Sequence, residues 1–75
     1  MALYDDVVAL SKNYLGPAAA KFVDRQINTH LKIELSQLRA ENMEELAKWC
    51  FISGKLLMDN KAEAKEYSEK VKALK

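Results

Sequence analysis

The chain holds one cysteine, one histidine, one proline, one tryptophan and two glycines, and each scarcity closes off a class of answer. A lone Cys50 excludes an internal disulfide, and with only His30 beside it there is no Cys/His cluster of the kind a structural zinc needs. Gly16 and Gly54 each stand without a glycine neighbour, so there is no glycine-rich loop to cradle a phosphate. No stretch approaches the roughly 18 consecutive apolar residues of a membrane span. The opening Met1-Ala2-Leu3-Tyr4-Asp5-Asp6 is acidic where a signal peptide is basic. These absences predict a cytoplasmic protein with no cofactor, no metal and no membrane. One free thiol agrees with a reducing compartment. Charge of one sign is also lacking: 12 Lys and Arg face 11 Asp and Glu, and a net charge of +1 sets up no general field to gather nucleic acid or anionic lipid.

What is present is a chain that folds in water. Hydrophobic residues make up 49% and charged residues 31% of it, too apolar for a disordered tail and too charged for lipid. Its 75 residues leave room for one core, so residues 1–75 read as a single domain. A helical core this small commonly supplies only about 3 to 5 kcal/mol unless packing is unusually good or a partner subunit helps.

The apolar residues recur at helical spacing and predict an all-α, compact four-helix domain with helices at about 3–15, 17–31, 43–58 and 61–74. Leu3, Tyr4, Val7, Val8, Tyr14 and Leu15 mark the first, with Asp5 and Asp6 at the positive end of its dipole. It stops at Gly16-Pro17, where glycine takes the left-handed turn and proline starts the next helix. The second carries Ala19 or Ala20, Phe22, Val23, Ile27, His30 and Leu31 inward. Residues 32–41 read as an ordered connection pinned by Ile33, Leu35 and Leu38, with a short helical turn opening at Ser36.

Asn42 and Glu45 have the spacing of a capping box before the third helix, and Asn60 and Glu63 repeat it before the fourth. The fourth carries a narrow seam of Ala64, Tyr67, Val71 and Leu74 and belongs on the outside. The third is apolar nearly all round: Met43, Leu46, Ala47 and Cys50 form one stripe, and Trp49, Phe51, Ile52, Leu56, Leu57 and Met58 spread over the rest. Such a helix is central, or partly covered by another molecule. Glycine inside a helix costs about 1 kcal/mol against alanine, so Ser53 and Gly54 mark the expected close approach of the second helix.

Residues that carry chemistry are few, and each has a structural reading. Cys50 with His30 is the residue pair of a nucleophile, but its position between Trp49 and Phe51 on an apolar helix predicts a buried, inert thiol. His30 fits a helix C-terminus, where an imidazole meets end carbonyls. Asp5-Asp6 and Glu44-Glu45 both fall in first helical turns, where acids are routine. These residues predict no enzyme. A helix-turn-helix is disfavoured because about ten residues part the second and third helices, and Lys61, Lys65, Lys70, Lys72 and Lys75 are interleaved with Glu63, Glu66 and Glu69.

Four-helix domains of this length include acyl carrier proteins, but their Asp-Ser-Leu attachment motif is absent here. The Tyr14-Leu15-Gly16-Pro17-Ala18-Ala19 junction, the apolar helix after it and the later Glu45-Leu46-Ala47 resemble small helical domains appended to bacterial signalling proteins, which have a Leu-Gly-Pro-x-Ala turn before a similar helix. The resemblance covers about half the chain. It implies a protein-interaction or signalling accessory role and brings no functional residues with it.

The reading that results is a protein-interaction or self-associating module, with Trp49, Phe51, Ile52, Leu56 and Met58 as its contact residues and a homodimer as one form. The alternative is a small nucleic-acid-associated regulator using the lysine-rich last helix. A small-ligand carrier with a pocket between the helices comes third.

Overall fold

A computed structural model describes residues 3–74. Its described part is all-helical and fills about 30 × 22 × 21 Å, with a radius of gyration of 10.8 Å. Three regular α-helices carry the fold: α1 (Leu3–Leu15), α3 (Met43–Met58) and α4 (Lys61–Ala73). Between α1 and α3 runs a composite segment that departs from the single helix expected at 17–31. A 3₁₀ turn at Gly16–Ala18 leads into the short helix α2 (Ala19–Arg25), which widens to a π-helical stretch at Gln26–Leu31. Asn28 and Thr29 in that stretch are weak helix formers.

Local chemistry accounts for the joins. Gly16 has φ +60°, a conformation that a side chain resists, and Pro17 follows it at the start of the 3₁₀ turn. Lys32 and Asp59 end the second segment and α3 in the same left-handed conformation, with φ of 58° and 53°. At α4 the Asn60 side chain accepts a hydrogen bond from the Glu63 N–H at 3.0 Å. The equivalent bond expected from Asn42 to the start of α3 is not made. Asn42 instead closes a 3₁₀ turn at Ala40–Asn42, where its Oδ1 accepts from the Arg39 N–H at 2.9 Å. A second such turn lies at Leu35–Gln37, where Gln37 Oε1 accepts from the Glu34 N–H, so the expected single turn at Ser36 is two turns, with Ser36 inside the first. Leu38, almost fully buried, pins the connection to the core.

The core is built on α3. Met43, Leu46, Ala47 and Cys50 are buried against Val7 of α1, Val23 and Ile27 of the second segment, and Tyr67 and Val71 of α4. Only Asp59 and Asn60 part α3 from α4, so the two helices run antiparallel, with Ser68 Oγ donating to the Ala47 carbonyl at 2.8 Å and Lys72 beside Glu44. α4 buries Ala64, Tyr67 and Val71 and leaves the rest of its circumference to Lys and Glu.

Gly54 is buried, but the helix that passes over it is α4 and not the second one. A Cβ placed there would meet Tyr67 Cδ2 and Met58 Cε, both at 3.8 Å, which is ordinary contact. The second segment reaches the neighbouring residue, where Ser53 Oγ donates to Gln26 Oε1 at 3.0 Å. Since a methyl fits, Gly54→Ala is expected to stabilise the domain by about 0.5 to 1 kcal/mol. That corresponds to a rise in Tm of a few degrees at about 4 to 8 °C per kcal/mol. Thermal denaturation followed by circular dichroism checks it, and a lower Tm would show that α4 needs a closer approach.

Candidate functional site

The apolar excess of α3 is distributed by the fold into different surroundings. Leu56 is 80% exposed and Leu57 62% exposed, side by side near the end of the helix. Leu57 follows Cys50 by seven residues and so lies on the same stripe as the buried core. The two leucines form, with Ser53, the α3 wall of a trough of about 500 Å³ between α3 and the second segment, floored by Phe22 and Gln26 and rimmed by Lys21, Arg25 and His30.

The other predicted contact residues have different surroundings from Leu56. Trp49 is half-buried and stacks on His30, with ring centroids 3.8 Å apart and planes within 7°. The imidazole is thus a lid on the indole as well as a member of the segment's last turn. Trp49 Nε1 is buried with no hydrogen-bond partner among the described residues. Met58 packs against the core cluster. Phe51 and Ile52 are half-buried and floor a second groove, of about 630 Å³, between α3 and α4. Leu57 is the exposed residue absent from the predicted contact set, since its seven-residue spacing from Cys50 assigns it to the core stripe.

The titratable groups are arranged structurally. Cys50 is fully buried, and desolvation pushes its thiol up to about 12, so at neutral pH it is an un-ionised and unreactive hydrophobe. It lies against the Tyr67 hydroxyl, while His30 lies against Trp49, so the only thiol and the only imidazole are in different surroundings. Ser11 Oγ donates to the Val7 carbonyl at 2.7 Å and therefore accepts from Tyr67 Oη. Burial pushes the Tyr67 hydroxyl well above the ordinary tyrosine range. Tyr4 Oη donates to Asp24 Oδ1 at 2.6 Å, and this bond raises the Tyr4 hydroxyl to about 12. Asp5, Glu44 and Glu45 are exposed, and Glu44 Oε2 is 3.6 Å from Lys72 Nζ. Among the described residues no three His, Cys, Asp or Glu side chains converge as metal ligands, and no helix is long and apolar enough to cross a membrane.

Compared with family models, with curated proteins and with solved structures, the chain matches none.

Proposed function

We propose that this chain is a small protein-interaction module that self-associates through the end of α3. The observation that carries this reading is the exposure of Leu56 and Leu57 on the α3 wall of the trough along the second segment. An exposed apolar pair on the lip of a mostly apolar trough is self-complementary: about a two-fold axis, the leucines of each copy close over the trough of the other. Exposed Asp59, two residues past Leu57, offers a carboxylate against the Lys21 and Arg25 rim of the second copy. In this reading the module does no catalysis, and its buried Cys50 serves packing alone.

Light scattering on a sizing column, from micromolar to millimolar concentration, tests the proposal. The expected result is a mass that doubles with concentration. Truncating central interface residues commonly costs 2 kcal/mol or more, so the Leu56→Glu/Leu57→Glu variant should weaken association by at least about 30-fold. It should keep its helical circular dichroism, because neither side chain belongs to the core. A wild-type chain that stays monomeric throughout, or a variant that dimerises as well as the wild type, would overturn the assignment.

A further inference from the structure

We infer that the groove between α3 and α4 is a second binding site, which takes an acidic amphipathic helix from a protein partner. Phe51 and Ile52 form its floor, and Lys48, Lys61, Lys65 and Lys72 stand round it with a single acid, Glu69. The groove thus holds a strong excess of positive charge in a chain whose net charge is only +1, and the rest of the molecule is net negative. The lysines and glutamates of α4 alternate along the sequence but are sorted around the helix. At about 100° per residue, Lys61, Lys65 and Lys72 fall within about 40° of one another, whereas Glu63 and Glu66 lie about 140° to 160° from Lys61. Glu66 pairs instead with Lys70 at 3.4 Å, and Lys70 lies over the Tyr14 ring, on a different face.

The shape and chemistry of the groove define the occupant. Eleven residues separate Lys61 from Lys72, a span of about 16 Å along a helix axis and so about three turns of a helix laid beside it. An apolar floor rewards leucine-like side chains, and ammonium groups along both sides reward carboxylates flanking them, the pattern of helix-in-groove recognition. A bare polyanion uses only the rim. Nucleic acid would want arginine forks or an open aromatic platform. The cations of the groove are all lysine, and Phe51 is half-buried with Lys55 Nζ 5.1 Å above its ring. The Lys72–Glu44 contact, exposed on both sides, is a weak pair that an incoming carboxylate displaces.

The test is fluorescence anisotropy with a labelled synthetic helix of leucine, alanine and glutamate, with leucine at every third and fourth position and glutamate on both flanks. Saturable binding that weakens steeply with added salt is expected. Lys61→Glu/Lys65→Glu and, separately, Ile52→Glu should each lower affinity at least about tenfold, and replacing the peptide leucines by glutamine should do the same. Lys70→Glu, outside the groove, should leave affinity unchanged. Failure of the peptide to bind, or indifference of binding to the paired lysine reversal, would overturn the site. Equal binding of the glutamine peptide, or tighter binding of a single-stranded oligonucleotide of the same charge, would overturn the class of occupant. The Leu56→Glu/Leu57→Glu variant should still bind the peptide, so the outcome is independent of self-association. Circular dichroism of each variant confirms that it is folded.

Discussion

Replacing Tyr67 by alanine is expected to leave the domain largely unfolded in water. Tyr67 is wholly buried where three helices meet. Its ring lies 5.0 Å from that of Tyr14 on α1 and 6.4 Å from that of Phe22 on α2, and one edge packs on Gly54 of α3. Truncating a buried aromatic costs about 3 to 5 kcal/mol through lost transfer energy and the cavity left behind. That equals the whole stability a core of this size commonly supplies. The hydroxyl is a separable part of the effect. Tyr67→Phe keeps both ring contacts and removes only the hydrogen bond to Ser11 and the contact with Cys50, a loss of about 1 to 1.5 kcal/mol. Urea denaturation of the three proteins should therefore rank wild type above Tyr67→Phe and leave Tyr67→Ala without a cooperative transition. A folded Tyr67→Ala would mean that Tyr14 and Phe22 collapse into the vacated space.

Much of this architecture was legible in the residues. The bounds of α1 and α3 follow from apolar spacing, from Gly16-Pro17 and from Met43 opening the longest apolar stripe, and Asn60 announces α4 by its cap. The stripe of Ala64, Tyr67 and Val71 is buried as its spacing requires. What was not legible depended on partners distant in sequence. Ser11 is a polar residue inside the α1 seam, and only the tyrosine 56 residues later makes it a core position. Asn42 had a choice of two backbone N–H groups and took the one behind it, because the chain turns at Arg39 before α3 begins. The contact set was dispersed for a similar reason: Trp49 found His30, Met58 found the core, Phe51 and Ile52 floor the groove beside α4, and Leu56 stayed exposed, with Leu57. The basic groove was hidden by reading the charges of α4 in sequence order, where Lys and Glu alternate. Projected around the helix, Lys61, Lys65 and Lys72 gather in one groove with Lys48, away from Glu63 and Glu66.

The second large effect is expected at Gln26, the one amide that is buried in the joint between the second segment and α3. Its Nε2 donates to the Phe22 carbonyl at 3.2 Å and its Oε1 accepts from Ser53 Oγ. Gln26→Glu keeps the shape and the second bond, but at neutral pH it turns the oxygen that replaces Nε2 toward a carbonyl and buries a charge with no cation bonded to it. Burial raises the pKa of such a carboxyl, by up to about 3 to 5 units for a fully buried one. The sign follows from linkage: the unfolded chain releases this proton near pH 4.3 and the folded one later, so stability is retained below that pH. It is lost as pH rises toward the folded-state pKa, at about 1.4 kcal/mol per pH unit. The variant should match the wild type near pH 4 and fall behind it by several kcal/mol at pH 7, enough to unfold a domain of this size. Paired urea denaturations at the two pH values measure it. A pH-independent difference would show that water reaches position 26 through the trough, which would make that trough a wet surface and weaken its claim to hold the leucines of a second copy.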